Sequence, residues 1–391
     1  MDSNTQQKVQ DLAAGWANFL SGQMSLNKDT FQLAQGNLGL QTSDNSGLFL
    51  MADAVPPPSS VAYYDSSSMR KRSDAYGLLL SALLPETNPN ALRNALANYY
   101  NDWVTWKLKN PPTSGEDYLA YFNRWAMQSN IDPGTVARAK SAIIAAQSTP
   151  LIKALTNYND TAAFQQQFSP AGQPPFSLYV NSATSDNAMQ AINNGQSIEN
   201  FKFDSNSMDI NVSRNFVQGS ASGFYDIFSG GAGASFETLN TKAASSRFTI
   251  TGRIGKFATL ACGPGGWYSS AEVDRAFHSP NDNTIWDPGS SAGNWGSFFG
   301  QPNGSLARYV SQLILVSDYS VTVTSYASYS QEDYQNIKTH ASFGIWPFFS
   351  ADVSSTQTTD IVHNEDATLS VTHSLNKGLI QIWGVNVLSQ S

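Results

Sequence analysis

Few side chains in this chain are suited to reaction chemistry. Four histidines, His278, His340, His363 and His373, and one cysteine, Cys262, are the groups whose ordinary pKa values fit general acid/base or thiolate work. His278 is flanked by Asp274 and Asp282, which together make a candidate acid/base set where a fold gathers them. His363 is followed by Asn364, Glu365 and Asp366, with His373 further on. That spacing matches no metal site and reads as a polar turn between two strands. Cys262 ends an apolar alternating stretch and precedes Gly263-Pro-Gly-Gly-Trp-Tyr268, so it is expected to pack as a small hydrophobe. A single cysteine also excludes an intramolecular disulfide and a cysteine-rich zinc site.

The sequence motifs that announce catalysis are missing. There is no HExxH, GxSxG, Walker loop or dinucleotide fingerprint. Gly219-Ser-Ala-Ser-Gly223 has the outline of a nucleophile elbow, but its centre is Ala221, which has no nucleophile. Gly230-Gly231-Ala-Gly233 lacks a lysine close behind it and reads as a flexible loop. No catalytic residue, metal or cofactor is therefore expected.

The unusual feature is aromatic. Trp267, Tyr268, Trp286, Trp295, Phe298 and Phe299 lie among Gly, Ser, Asn and Pro, and Ile345-Trp346-Pro347-Phe348-Phe349 forms a second cluster. Such rings fill a core under long loops, stack on sugars or sit at a membrane interface. Trp267, Tyr268, Trp295, Phe298, Phe299 and Trp346 are the expected contacts with membrane lipid or surface glycan. Residues 350–375 add two Ser/Thr-rich segments about a polar turn, and residues 219–246 combine small residues with Phe224, Ile227, Phe228, Phe236 and Leu239. Weakly amphipathic strands of this kind can form a barrel wall with a polar lumen.

Composition narrows the partners. The 391 residues carry a net charge of −8, and only 13% are charged, against roughly 25% in an ordinary soluble domain. An anionic chain without a basic face is a poor nucleic-acid binder, and Arg70-Lys71-Arg72 reads as a solvated turn. The start at Met1 has no basic-then-apolar leader, so we expect a soluble cytoplasmic product released, where it is released, by a non-classical route. The longest apolar run, Tyr76 to Leu84, is about half the ~20 residues of a spanning helix.

The periodicity places these features. Val9, Leu12, Ala13, Trp16, Phe19 and Leu20 mark a first amphipathic helix. Further helices are expected over 76–84, from Asn88-Pro89 through Trp106, from Ser114 through Met127, and from Asp132-Pro133 through Ala146. Residues 36–68 read as a long loop with at most a short strand at Leu48–Met51. Beyond residue 200 alternation dominates, at Phe201/Phe203, Met208/Ile210/Val212, Phe248/Ile250, Val321/Val323, Leu369/Val371 and Ile380/Ile382. Asn376-Lys377-Gly378 is the expected turn of a hairpin joining 367–375 to 379–388.

These observations describe an α+β protein: a mainly helical domain over 1–165, a connecting segment over 166–200 and an antiparallel β-sandwich-like or twisted-sheet domain over 201–391. The expected function is that of a water-soluble, membrane-active, toxin-like and pore-forming protein acting through homo-oligomerisation and Ser/Thr-rich β-hairpins. The alternative is a glycan-binding or self-assembling structural protein, and the third reading is an enzyme with an unfamiliar site.

Overall fold

The computed structural model describes residues 3–35, 39–40, 45–63, 70–84, 91–113, 116, 118–146, 150–170, 174–216, 234–280, 282–340 and 357–391. The chain opens with α1 (Ser3–Gln23), β1 (Phe31–Gln35), β2 (Gly39–Leu40), α2 (Ser46–Ala52) and β3 (Val61–Tyr63). A helical stretch follows: α3 (Arg72–Ala82), α4 (Ala91–Leu96), α5 (Tyr100–Lys109), α6 (Tyr118–Gln128), α7 (Pro133–Ala146), α8 (Pro150–Asn159) and α9 (Thr161–Phe164). The hairpin β4 (Gln165–Phe168) and β5 (Phe176–Tyr179) closes it. Then come α10 (Ser185–Asn193), β6 (Gln196–Asp204), α11 (Ala234–Ala244), β7 (Phe248–Ala261), α12 (Ser270–Phe277) and α13 (Trp295–Phe299). The chain finishes with β8 (Arg308–Ser325), α14 (Gln331–His340), β9 (Gln357–His363), β10 (Leu369–Leu375) and β11 (Ile380–Ser389). The fold is mixed α+β, helical early and β-rich late, with a mostly antiparallel sheet.

Two compact units divide the chain, and each draws on separate stretches of it. The first is Met1–Met69, Ser182–Gly263 and Val310–Leu388; the second is Arg70–Asn181, Pro264–Tyr309 and Ser389–Ser391. Positions 165 and 201 thus mark where helical periodicity gives way to alternation rather than where one unit ends.

The first unit is organised by its two longest strands. β7 pairs antiparallel with β8 from Phe248↔Ser325 to Ala261↔Gln312. Side chains alternate across the pleat. Near one end Tyr319, Val321, Val323 and Ser325 are buried while Ser320, Thr322 and Thr324 are half-buried. The apolar face, with Phe248, Ile250 and Ile254 of β7, packs with Trp16, Leu20, Leu239 and Ala243 from α1 and α11. α1 forms because its apolar residues recur at helical spacing, and burying that stripe against a sheet supplies stability an isolated helix lacks.

β8 also organises the strands beyond it. β10 pairs with Tyr319–Ser325, and its other edge carries β9 in register from Leu369↔His363 to Leu375↔Gln357. β11 lies along the remainder of β8 and continues to β1, which pairs with β3. The expected hairpin at Asn376–Gly378 is therefore corrected: β10 and β11 do not pair with each other but run end to end along β8. Gly378 does adopt positive φ, at +88°, yet the turn makes a local offset within one extended course, because a strand as long as β8 has room for two neighbours in series. The hairpin that forms is β9–β10.

Three other expectations change. Leu48–Met51 is helical, within α2, where Leu48, Phe49, Met51 and Ala52 are buried; that spacing suits one face of a helix better than a strand. Met208, Ile210 and Val212 lie in irregular chain. There the Asn18 side chain donates to the carbonyls of Asp209 and Asn211 at 2.6 and 3.1 Å, so backbone acceptors are satisfied without a ladder. The helix expected through Trp106 breaks at Ala97, where φ is +47°, into α4 and α5.

Gly252 in β7 shows how close the central strands lie. A Cβ there would stand 2.3 Å from the Ser320 carbonyl oxygen, whereas at Gly22 near the end of α1 it meets nothing within 4 Å. Gly252→Ala should lower the thermal midpoint, since only backbone movement relieves the clash. Gly22→Ala should leave it unchanged or raise it, by up to about 1 kcal/mol of helix propensity. Calorimetry of the two variants checks both signs.

Candidate functional site

Of the six expected contact residues, Trp267, Tyr268, Trp295, Phe298 and Phe299 lie in the second unit, and Trp346 falls outside the described residues. Trp267, Phe298 and Phe299 are 3%, 2% and 1% exposed. The Trp267 indole donates to the Val180 carbonyl at 2.9 Å and meets Tyr76 edge-on at 5.7 Å. Tyr268 is half-buried, and its hydroxyl accepts from Arg72 Nη2 at 2.6 Å. Burial raises the Tyr268 phenol while the Arg72 charge opposes that rise. Trp295 begins α13, is half-buried, and donates to the Phe277 carbonyl at 2.7 Å. These rings build a core, with polar tips satisfied as buried Trp and Tyr require, and no exposed ledge is formed by Trp267, Phe298 and Phe299.

The candidate acid/base set is not drawn together by side-chain hydrogen bonds. Asp274 accepts from Gln390 Nε2 at 2.8 Å. His278 closes α12 through its backbone N–H to the Asp274 carbonyl at 3.0 Å, its ring edge-on to Phe277. Asp282 accepts from the Thr284 hydroxyl and backbone N–H at 2.7 and 2.8 Å, hydrogen bonds that hold its carboxyl below the usual range. His278 and Asp282 are thus used locally, as a helix end and a turn, while Asp274 ties down the chain's last residues. No cluster of three or more His, Cys, Asp or Glu able to hold a metal ion occurs among the described residues. The glycine motifs at 219–223 and 230–233 fall outside them.

Cys262 behaves as its surroundings suggest. Desolvation pushes its thiol up to about 12, the opposite of an activated nucleophile. The polar groups of the 363–366 turn are likewise engaged: His363 Nε2 lies 2.8 Å from the Tyr329 carbonyl, and Asp366 accepts from Thr368.

A more organised feature, found by the register of the strands, lies at one end of the sheet in the first unit. Asp204 faces Thr249, Phe248 faces Ser325, and Leu369 faces both Ser325 and His363. The ends of β6, β7, β8 and β10 are thus level. The connection from β6 to β7 and the connection leaving β8 both depart here.

One basic residue closes both bases. Arg247 binds the Asp204 carboxylate through Nε and Nη2, which keeps that carboxyl below its usual range. Its guanidinium also stacks 4.8 Å above the Tyr326 ring, and its carbonyl accepts from the Tyr326 N–H at 3.0 Å. Further out, Lys242 of α11 meets Asp333 of α14 at 2.8 Å.

Just inside this end, the face opposite the apolar core carries a ladder of hydroxyls. Thr322 meets Thr372 at 2.8 Å, Thr324 meets Ser370 at 3.0 Å, and Ser374 donates to Ser320 at 3.1 Å. These are direct cross-strand pairs. At this end the sheet is thus polar on one face and apolar on the other, whereas further along β8 both faces are apolar, with Leu313 and Leu315 packed in a second cluster with Leu260, Ile192 and Val385. His373 sits on the buried face of β10 with Nδ1 3.1 Å from Thr359 Oγ1, and desolvation lowers its pKa to about 4. No protein-family profile, curated protein or solved structure matches this chain.

Two outcomes follow from these environments. The folded-state pKa of His373 is below the unfolded value of 6.5, so the unfolded chain binds a proton first. Stability present above pH 6.5 should fall between pH 6.5 and 4, by about 3 kcal/mol from this residue. His373→Gln should flatten that part of a urea-denaturation pH series. Cys262 should resist a thiol reagent at pH 8 in the folded protein and react fully once it is unfolded.

Proposed function

We propose that this protein is membrane-active, and that it perforates membranes by converting segments at the end of its long sheet into β-hairpins within an oligomer. The observation that carries this reading is the level set of strand ends from which both long connections leave. Residues 205–247 and 326–368 are equal in length, at 43 residues each. Drawn out as extensions of β6–β7 and β8–β10, each gives two arms of about 20 residues, roughly 65 Å at strand rise. A tilted transmembrane strand needs only about 9–11 residues.

The two-faced sheet supports the same reading. A barrel wall presents apolar side chains to lipid and polar ones to the lumen, and the Ser/Thr ladder against the Val321, Val323 and Val371 face already has that alternation. Conversion requires β9 to leave β10. The exposed edge of β10 can then pair with β6 of a second copy, which avoids an open edge in the bilayer. Sequence in the two connections supplies large apolar residues at one pleat parity, Phe224, Phe228 and Phe236 in the first and Trp346 and Phe348 in the second, for the lipid side. No helix among the described residues is long and apolar enough to cross a membrane, so spanning by strands is the route available to those residues.

Dye-loaded phospholipid vesicles test this. Leakage is expected, faster at pH 5 than at pH 7 because protonation of His373 loosens β10. Arg247→Ala releases both bases and should speed leakage about fivefold, the equivalent of roughly 1 kcal/mol. Absence of leakage from neutral and anionic vesicles across pH 4–7 overturns the proposal.

A further inference from the structure

The second unit contains an open cleft of about 520 Å³, within the roughly 300–1,000 Å³ range of small-molecule sites. Its floor is apolar: Leu83 beyond α3, Val104 and Leu108 on α5, and Leu151, Ile152 and Leu155 on α8. Leu108 is 53% exposed, an apolar surface left uncovered at the mouth.

The polar groups around that floor are predominantly acceptors. Ser81 Oγ donates to the Gly77 carbonyl at 3.0 Å, Thr156 Oγ1 to the Ile152 carbonyl at 2.9 Å, and Asn159 Nδ2 to the Leu155 carbonyl at 2.9 Å. The single hydroxyl hydrogens of Ser81 and Thr156 are turned back into the helices, which leaves those oxygens able to accept, and the Asn159 amide offers its Oδ1 beside one remaining N–H. The cations nearby are already engaged. Lys107 lies 3.5 Å from Asp287. Arg124 holds Glu116 at 2.8 Å, and the resulting hydrogen bonds keep the Glu116 carboxyl down at about 2. Asp160 differs: Oδ1 caps α9 by accepting from the Ala163 N–H at 3.1 Å, and among the described residues no cation is paired with it.

We infer that this cleft binds a small cationic amphiphile, with an apolar chain against Leu83, Val104 and Ile152 and an ammonium head at Asp160 and Asn159. A carboxylate head is disfavoured, because it would face acceptors and an unpaired negative charge. This assignment is independent of the sheet end in the first unit, and the assay below contains no membrane.

Titration calorimetry on the full chain tests it, with decylamine and decanoate each held below its micellar concentration. Decylamine should saturate one site per chain, with decanoate at least tenfold weaker. Asp160→Asn keeps an oxygen to cap α9 and should weaken decylamine about tenfold while narrowing the gap to decanoate. Thr156→Trp fills the cleft from an exposed position of α8 and should abolish binding, with unchanged thermal unfolding as the check on folding. Failure of decylamine to saturate, equal binding by decanoate, or full binding by a folded Thr156→Trp protein overturns the inference.

Discussion

The long antiparallel pairing of β7 with β8 is the constraint from which the first unit follows. Two strands paired from Phe248↔Ser325 to Ala261↔Gln312 expose a broad apolar face, and that face must be covered at roughly 25 cal/mol per Å² of apolar surface. α1 and α11 cover it, with Trp16 and Leu239 in the same cluster as Ile250 and Val321. Toward Ala261 the opposite face is buried too, with Leu260, Leu313 and Leu315 packed with Ala188 and Ile192 of α10, and hydroxyl pairs occupy it only at the Ser325 end. Those pairs satisfy one another without charge, so the sheet keeps a polar face at little desolvation cost. The same pairing fixes where the chain can leave, because strands of matched register end level. Arg247 then joins the bases of two connections that are otherwise remote in sequence.

The second unit solves a different problem. Its helices α4 to α7 enclose a dense aromatic cluster: Trp103 lies 5.2 Å from both Tyr121 and Trp125 and 5.6 Å from Phe122. Arg124 stacks on Trp106 and Tyr121 while pairing with Glu116, so the rings are sealed by cations rather than by further apolar residues. A second cluster gathers Tyr76, Trp267, Trp286, Phe298 and Phe299. Large rings satisfy much of the burial a chain poor in charge needs, and the indole N–H groups of Trp267, Trp286 and Trp295 find backbone carbonyls. The low charge fraction of the sequence is therefore partly a consequence of loops that fold over rings, in addition to the Ser/Thr faces of the strands.

Much of the local structure was legible in the residues. The spacing of Leu12, Trp16 and Leu20 placed α1, and the alternation at Phe248/Ile250, Val321/Val323 and Leu369/Val371 placed β7, β8 and β10, since helix and strand periods are properties of a few consecutive side chains. The Ser/Thr-rich stretch about Asn364–Asp366 gave the β9–β10 hairpin. Other features were not local. Asn376-Lys377-Gly378 has the composition of a reversing turn, yet its outcome was settled by how much of β8 remained to be paired. Leu48–Met51 offered too short a run to separate strand from helix. The PGGWY segment indicated a forced turn bearing rings, but whether they faced outward depended on Tyr76 and Val180, which no spacing connects to it.

What the sequence by itself determined was the α+β class, the two-faced chemistry of the late strands and a cysteine set in apolar surroundings. Each of these depends on neighbours within one or two turns or pleats. Only the tertiary structure decided that β6, β7, β8 and β10 end level, that Arg247 serves two connections at once, and that Asp160, with no cation paired to it among the described residues, lies beside an apolar cleft. Those features arise from contacts between residues tens to hundreds of positions apart, such as Arg247 with Asp204 and Phe248 with Ser325, where pairing is set by competition among all available partners.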